Sequence, residues 1–240
     1  MHGISDSALL RLFELSAVDA PSRRAVRLIA ASDAGFDESG AALLSIGRRD
    51  RFLLELRLAT FGPALECTAA CPQCGERLEF SLDARDLLEQ DRPGGAATVA
   101  LEYAGTAVTA RLPTSKDLIA LGTTGTEHDL LDRCLTEVRC DDVEIGGPSL
   151  DPDLVVAIDD ELADADPGAR LAIALQCPVC THAWSQLFDV VDFFWAELEA
   201  RVERILREIH TLAGAYGWTE AEVLQLPTAR RQRYLDLVNG

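Results

Sequence analysis

Two pairs of cysteines, each in the pattern Cys-Pro-x-Cys, constrain the fold of this 240-residue chain more than any other feature. The pairs are Cys71 with Cys74 and Cys177 with Cys180, and alternating apolar and polar residues follow each pair. Two cysteines at this spacing can present both sulfurs to one metal ion, and two such pairs complete a tetrahedral site of four thiolates. The sequence therefore predicts a zinc ribbon in which all four cysteines bind a structural Zn²⁺.

The distance between the two pairs along the chain is unusual for a zinc ribbon. A stretch of 102 residues separates Cys74 from Cys177, whereas a compact ribbon has about 15 to 20. By the logarithmic loop law, a roughly sixfold longer loop costs only ~1.6 kcal/mol more to close. Structural zinc sites supply roughly 10–16 kcal/mol of apparent affinity. We therefore expect a long insertion whose two ends meet at the metal.

A redox centre is the competing interpretation of the cysteine pairs. Such a centre activates its first thiolate at a helix N-terminus, in a thioredoxin-like unit. Strand patterns follow both pairs in this chain, and one metal site explains two pairs more simply than two redox centres do. Four unligated thiols are the third alternative. A zinc ion with four cysteine ligands keeps no open position for water or substrate, so its role would be structural.

Other cysteines and a histidine lie near the two pairs or elsewhere in the chain. Cys67 and His182 are close enough in sequence to contribute to the metal site, and we expect them to surround it rather than to replace a ligand. Cys134 and Cys140 are interpreted as small buried apolar groups on or near a helix. A chain with seven cysteines and no secretion signal is expected to keep them reduced.

The charge of the chain excludes broad classes of partner. The sequence has 22 Lys and Arg against 40 Asp and Glu, which gives a formal net charge of −18. A charge of this sign repels phosphate backbones and anionic lipid surfaces. We expect no nucleic-acid partner and no membrane partner.

Motifs of catalysis and of export are also missing from the sequence. There is no nucleophile elbow, P-loop, zinc-protease helix or dinucleotide-binding glycine motif. The first residues lack the basic and apolar regions of a secretion signal, and no run of about 20 apolar residues could span a bilayer. We expect a cytoplasmic protein that is not an enzyme and has no small-molecule substrate.

Hydrophobic periodicity predicts helices at both ends of the chain and strands in the middle. In the helix over residues 46–61, we expect the charged residues from Arg48 to Arg57 mostly to face water. Apolar residues recur at three- and four-residue steps from Trp195 to Tyr216, which predicts one long amphipathic helix. The remaining predicted elements are helices at 7–15, 23–31 (opened by Pro21), 118–121, 126–138, 154–162 and 227–238, a helix that starts at the capping box of residues 219–222, strands at 78–83 and 182–188, and a hairpin over 97–112 around Gly105.

These patterns together predict an α+β fold. We expect helical N- and C-terminal lobes around a small β-rich zinc ribbon that carries a long insertion. The predicted regions are an N-terminal helical region (1–66), the zinc ribbon (67–83 plus 177–190), a mixed acidic insertion (84–176) and a C-terminal amphipathic helical region (191–240).

Short stretches along most of the chain occur in a familiar order. They are residues 44–57, Thr60-Phe-Gly62, residues 71–80, Leu112-Pro-Thr, Cys177-Pro-Val-Cys180 with Trp184, residues 193–198, Ala215-Tyr-Gly-Trp218 and Arg230-Arg-Gln-Arg-Tyr234. In this order the stretches resemble the zinc-ribbon branch of the baseplate hub assembly chaperone family. That family is related to a T-even phage baseplate assembly factor and is encoded with contractile tails and phage-tail-like injection systems.

The resemblance implies an assembly role without chemistry. It implies transient binding to the baseplate hub or to a neighbouring baseplate protein, and it supplies no catalytic residues. On their own residue types, Trp218, Arg230, Arg231 and Tyr234 are candidates for partner binding, although core positions would suit them equally. One alternative is a permanent structural subunit of the baseplate. A less favoured alternative is a zinc-ribbon nucleic-acid binder, against which the net charge argues.

Overall fold

Helices and short antiparallel sheets alternate along the chain. The structure, a computed structural model, describes residues 2–32, 35–90, 96–140, 143–144 and 150–240. Its helices are α1 (Asp6–Ser16), α2 (Pro21–Ala30), α3 (Glu38–Ala42), α4 (Ile46–Phe61), α5 (Ala84–Gln90), α6 (Ser115–Leu121), α7 (Glu127–Cys134), α8 (Pro152–Ala165), α9 (Val190–Tyr216), α10 (Glu220–Gln225) and α11 (Thr228–Asn239). Its strands are β1 (Ala64–Ala70), β2 (Arg77–Asp83), β3 (Thr98–Tyr103), β4 (Thr106–Arg111), β5 (Leu135–Cys140), β6 (Val143–Glu144), β7 (Ala172–Gln176) and β8 (Ala183–Leu187). The predicted α+β class is confirmed, whereas the predicted domain boundaries stay a prediction.

The main hydrophobic core lies between the N-terminal helices and α9. Helices α1, α2 and α4 pack against the N-terminal two thirds of α9, which buries its apolar stripe. Phe194 and Leu198 of that stripe are fully buried, and Phe13 stacks on Trp195 with ring centroids 5.7 Å apart. Leu65 and Cys67 of β1 and Leu87 of α5 complete this core, so the first cysteine hairpin is anchored to the helices.

The expectation that the charged residues of α4 face water is wrong for three of them. Arg49, Asp50 and Arg57 are buried. Arg49 donates to Asp50 at 2.6 Å, and burial nevertheless raises the pKa of the Asp50 carboxyl. Arg57 donates to Glu197 on α9 and to the carbonyl of Gly62 at 2.5 Å. These side chains are inside because each has a partner there, which hydrophobic periodicity does not register.

A second core lies within the segment between the two cysteine pairs. Strands β3, β4, β5 and β6 form an antiparallel sheet in that order, and α8 packs across β3. Val99, Val108 and Val138 face Leu154 and Ile158 of this helix. The predicted hairpin around Gly105 is confirmed, with Gly105 at φ +82° between β3 and β4.

The predicted helix over residues 126–138 is wrong in its second half. Helix α7 starts at the capping box of Thr126 and Asp129 and ends at Cys134. The next residues form β5, which pairs with β4 so that Val138 lies opposite Val108. Pairing buries Val138 in the second core. A nonlocal strand partner therefore overrides the local helical pattern.

The C-terminal helices form a small third core on the end of α9. Val223 of α10 and Leu235 of α11 pack against Leu212 of α9. Thr219 and Glu222 form the capping box expected from the sequence, and Gly217, at φ +71°, ends α9 in a left-handed turn.

Candidate metal centre

Two β-hairpins present the four predicted metal ligands. Strands β1 and β2 form the first hairpin and strands β7 and β8 the second, each as a separate two-stranded antiparallel sheet. Cys71 and Cys74 lie in the turn of the first hairpin, and Cys177 and Cys180 lie in the turn of the second. Each cysteine pair therefore sits at the tip of its hairpin.

The two turns repeat the same hydrogen bonds. In the first turn, the amide of Cys71 donates to the carbonyl of Glu76 at 2.8 Å, and the amide of Gly75 donates to the carbonyl of Cys71 at 2.9 Å. In the second, the amide of Thr181 donates to the carbonyl of Cys177 at 3.0 Å, in the same positions relative to the cysteines. The turns are therefore equivalent zinc-knuckle-like units.

One residue differs between the turns in a way that matters for the backbone. The position after the second cysteine has φ +76° at Gly75 and φ +62° at Thr181. Glycine adopts this left-handed conformation without steric cost, whereas a β-branched residue is rarely found there. The second turn therefore holds a strained residue directly beside Cys180.

The four sulfurs come together from the two turns. Sγ of Cys71 lies 3.6 Å from Sγ of Cys180, and Sγ of Cys74 lies 3.6 Å from Sγ of Cys177. All four sulfurs lie within 4.8 Å of one another. The predicted convergence of the two pairs, across 102 intervening residues, is confirmed.

The geometry and chemistry of this cluster fit one tetrahedral metal ion. Bonds of ~2.3 Å from zinc to four sulfurs in a tetrahedron place the sulfurs ~3.8 Å apart, close to the 3.6 Å observed for two pairs. A donor set made only of thiolates is typical of zinc and of iron–sulfur chemistry. The four cysteines can therefore hold a metal ion.

The protonation of the sulfurs depends on neighbouring amides and on one another. The amide of Cys180, with that of Val179, donates to Cys177 and lowers its pKa to about 7. The amide of Glu76 also favours the thiolate of Cys74, but the surrounding sulfurs outweigh this and raise the pKa of Cys74 to about 12. Four clustered thiols cannot all ionise without a cation, so metal binding to this cluster releases protons.

The other cysteines and His182 are not part of the sulfur cluster. Cys67 is buried in the main core beside β1, and burial raises its pKa. The ring of His182 stacks on Trp184 with centroids 6.0 Å apart. Cys134 is buried at the end of α7, as expected, whereas the side chain of Cys140 lies outside the described part of the chain.

The predicted partner-binding residues surround the C-terminal core. Trp218 and Tyr234 are half-buried, and their ring centroids lie 4.9 Å apart. Tyr216 stacks on Trp218 at 4.7 Å and is 41% exposed, so the last position of the predicted apolar seam lies at the surface. We call these three residues the C-terminal aromatic cluster.

The two arginines of the predicted set have different environments. Arg230 is exposed on α11. Arg231 is only 2% exposed and forms ion pairs with Asp6 of α1 and Glu208 of α9. Its guanidinium is therefore engaged within the chain, and partner binding by the four residues stays a prediction.

The sequence carried a signal for the hairpins that periodicity alone did not use. Strands β1 and β7, absent from the predicted elements, precede the two cysteine pairs and alternate buried and exposed residues. Aligning the two pairs on each other places Thr181 opposite Gly75 and β7 opposite β1. That alignment indicates that the two pairs lie in equivalent turns, with Thr181 at the position of a turn glycine.

Among the described residues, no helix combines the length and the apolar character needed to cross a bilayer.

Comparisons with known proteins identify a family. No curated protein and no solved structure matches the chain. The family profile described as T4 bacteriophage base plate protein matches residues 27–195, which is more than two thirds of the chain. The matched range contains α3 and α4 of the main core, both cysteine hairpins and the insertion between them. The chain therefore belongs to the T4 bacteriophage base plate protein family.

Proposed function

We propose that this protein is a non-enzymatic assembly chaperone for the baseplate hub of a contractile phage tail or a phage-tail-like injection system. In this proposal it acts in the cytoplasm and binds the hub or a neighbouring baseplate protein while the baseplate forms. Membership of the base plate protein family supports a role in the baseplate. The order of short sequence stretches, which resembles that of the hub assembly chaperones, supports a role in its assembly.

The charge of the protein is compatible with a chaperone that stays in solution before it binds its partner. A net charge of −18 keeps free copies apart and soluble through mutual repulsion. Charged surfaces raise the rate of encounter with a complementary partner more than they raise final affinity. Fast encounter suits a chaperone that must find its partner while the baseplate forms.

The metal in this proposal is Zn²⁺ in a structural role. Cys71, Cys74, Cys177 and Cys180 would supply all four ligands and leave no position for a substrate. When bound, zinc would tie the tips of the two hairpins together and close the insertion between them. The proposed activity is therefore binding, and no catalytic residue is assigned.

The function is tested by deletion of the gene in the strain that encodes it. We expect incomplete baseplates in electron micrographs and loss of contractile particles, with rescue by the wild-type chain expressed in trans. Purified wild-type particles, examined by quantitative mass spectrometry, should lack the chain or hold far less than one copy per baseplate subunit.

Two outcomes would overturn the proposal. A stoichiometric amount of the chain in purified particles would make it a permanent subunit of the baseplate. Normal particles from the deletion strain would remove any assembly role. Rescue by Cys67→Ser but not by Cys74→Ser would assign the sulfur cluster to the function, because Cys67 is a nearby cysteine outside that cluster.

A further inference from the structure

A groove of 1010 Å³ lies between the first turns of α4 and the adjoining ends of β3, β4 and α6. Helix α4 belongs to the main core and α6 packs on α2 of that core, whereas β3 and β4 belong to the second core. An antiparallel bridge joins Ser45 and Thr114, which both line the groove. We call this feature the interlobe groove, and it is separate from the sulfur cluster and from the C-terminal aromatic cluster.

The interlobe groove has a local charge opposite to that of the whole protein. Five cations and three carboxylates line it, although the chain carries a net charge of −18. Its cations include Lys116, the only lysine in the sequence. A cleft with a surplus of one sign attracts ligands of the other sign.

The carboxylates of the groove are already engaged by neighbours. Asp117 is buried and accepts from Arg111 at 2.7 Å, and Arg133 approaches it to 3.6 Å. Asp166 accepts from the backbone amide of Gly47 at 2.8 Å. Glu55 pairs with Arg51 at 3.2 Å. These contacts partly neutralise the charges of Arg51, Arg111 and Arg133. The other two cations of the groove can pair with a ligand.

Arg48 and Lys116 are the cations without such partners. Both side chains are exposed, and neither forms an ion pair or hydrogen bond with another described residue. Arg48 lies on α4 and Lys116 on α6, and both side chains line the groove. A ligand that places one carboxylate near each of them would pair with both cations.

Apolar surface distinguishes the occupant from a nucleic acid or a free phosphate. Leu43 is 60% exposed and half-buried Phe52 lines the same groove. The amides at the start of α4 are not free for an anion, since Gly47 donates to Asp166 and Arg48 donates to Ser45. The groove therefore offers side-chain cations beside apolar surface, which suits a polypeptide with acidic and apolar residues.

We propose that the interlobe groove binds an extended acidic segment of a baseplate protein, with carboxylates at Arg48 and Lys116 and apolar side chains against Leu43 and Phe52. The proposal rests on the proposed function for the source of the segment. Successive side chains of an extended peptide point to opposite sides, so such a segment can present carboxylates and apolar groups together. β3 is the edge strand of its sheet among the described residues, and Thr98 of β3 lines the groove.

The test uses the full chain and a defined probe. The probe is a fluorescein-labelled peptide of about twelve residues, long enough at ~3.3 Å per residue to follow the groove, with the repeat Glu-Leu-Glu-Ser. Fluorescence anisotropy in low salt should show binding of this peptide and not of its Lys-Leu-Lys-Ser counterpart. The double variant Arg48→Glu, Lys116→Glu should weaken binding at least about tenfold.

A matched variant controls for the change in total charge. The control variant Arg204→Glu, Arg207→Glu changes the net charge by the same amount on α9, where both side chains are exposed and lie outside the groove. Its effect on binding should be less than about twofold. Circular dichroism and thermal unfolding of each variant should match the wild type, because all four substitutions are at exposed positions.

Several results would overturn the groove proposal. Equal binding by the double variant, or equal binding of the lysine peptide, would remove the charge argument. Tighter binding of a single-stranded DNA, sensitive to the double variant, would assign the groove to nucleic acid. Dimerisation in sedimentation experiments that the double variant abolishes would assign it to a second copy of the chain.

Particle assembly separates this proposal from the proposed function. If the double variant rescues the deletion strain as well as the wild type does, the groove proposal fails and the chaperone role stands. If the deletion strain assembles normal particles, the chaperone role fails whatever the peptide experiment shows.

Discussion

Thr181 is a β-branched residue in a left-handed conformation, beside a cysteine of the sulfur cluster. Its hydroxyl donates to the carbonyl of Cys180 at 2.7 Å, and its carbonyl accepts from Gln176 at 3.4 Å. These contacts partly offset a conformation that costs roughly 1–2 kcal/mol for a non-glycine residue. The equivalent position in the other hairpin is Gly75, which carries no such cost.

The substitution Thr181→Gly should therefore stabilise the metal-bound protein by about 1 kcal/mol, since glycine loses the strain but adds chain entropy to the unfolded state. Denaturant unfolding at saturating zinc measures this change. The reciprocal substitution Gly75→Thr is the control and should destabilise by a similar amount. A loss of stability in Thr181→Gly would show that the hydroxyl contact outweighs the backbone strain.

Gly47 is a position where a single added methyl group has no room. A Cβ built there would lie 2.4 Å from Oδ1 of Asp166 and 2.7 Å from the amide nitrogen of Ala169. Gly47→Ala should destabilise the protein by about 1–3 kcal/mol, because a backbone atom must move. Gly214→Ala in α9 has open space around it and should stabilise by about 0.4–1 kcal/mol. Thermal unfolding compares the two, and equal effects would contradict the packing explanation.

Helix α11 is held against the rest of the protein by ion pairs as well as by apolar contacts. Arg231 pairs with Asp6 of α1, and its Nε lies 2.7 Å from Oε2 of Glu208 on α9, at an angle that makes this an ion pair rather than a hydrogen bond. Arg201 also donates to Asp6 at 2.9 Å. Burial alone would raise the pKa of Asp6, but hydrogen bonds from Arg231 and Arg201 lower it. The network joins both ends of the sequence.

Arg231→Ala should cost about 3–5 kcal/mol, because it leaves two carboxylates of a buried network with fewer partners. Hydrogen exchange should rise in α11 before it rises in α4. The control is Arg230→Ala, which removes the exposed neighbour on the same helix and should change stability by less than about 0.5 kcal/mol. Equal hydrogen exchange of α11 in Arg231→Ala and Arg230→Ala would contradict the role of Arg231 in holding this helix.

Asp117 positions helix α6, and the titration of its carboxyl should change the stability of the protein with pH. Burial would raise the pKa of Asp117, but hydrogen bonds from Arg111 and Thr114 outweigh it and lower the pKa to about 2, from the ordinary 3.8. A carboxyl with a depressed pKa stabilises the fold above its unfolded pKa, and this contribution is lost as the pH falls from about 4 through about 2. Stability of the wild type should therefore fall in this window by more than that of Asp117→Asn, measured by denaturant unfolding at each pH. Parallel pH curves would contradict this role of Asp117.

Elements with their own periodicity, caps or turn glycine could be predicted from the sequence, whereas strand β5, which depends on pairing with β4, could not. The apolar seam of α9 and the capping box of Thr219 are local sequence patterns, and the structure contains both elements that they predict. Strand β5 follows a helical pattern and becomes a strand because β4 is there to pair with it. Burial of Arg57 likewise depends on Glu197, which is distant in sequence. Local patterns contain no information about such partners.

At the scale of the whole molecule, the sulfur cluster is the link between two distant parts of the chain. Removal of metal with a chelator should separate the hairpin tips and lower the melting temperature. At free zinc about a hundredfold above the dissociation constant, linkage stabilises the fold by ~2.7 kcal/mol. We expect one zinc per chain by mass spectrometry of metals, and a lower melting temperature for the chelated protein.

Cys74→Ser and Cys67→Ser provide the matched pair for this experiment. Cys74→Ser should lose the metal and show no further change on chelation, whereas Cys67→Ser should keep one zinc per chain, because Cys67 lies outside the cluster. Iron instead of zinc would change the assigned metal but not the ligands. Metal-free wild-type protein, purified in reduced form, would contradict the site itself.

Contacts between distant parts of the chain could be predicted only where one chemical site takes residues from both parts. The four cysteines predicted that the two hairpins come together at one metal ion, and their sulfurs do lie together. The interlobe groove has no such signal, because its cations come from α4, β4, α6 and α7 and are adjacent only after folding. Charge along the sequence shows an acidic chain, and the basic surplus of this one surface is a property of the folded chain alone.

The closed hairpin pair also determines how freely the segment it encloses can vary. Both ends of that segment are fixed on the main core, by Leu87 after β2 and by Leu171 before β7. With its two exits fixed, the exposed loops of the enclosed sheet can be lengthened or shortened at an entropic cost that grows only with the logarithm of length. The elements that touch the main core, such as the turn of Asp166 beside Gly47, are not free in this way. Engineering of new loops would therefore start at the tip of the β3–β4 hairpin, around Gly105.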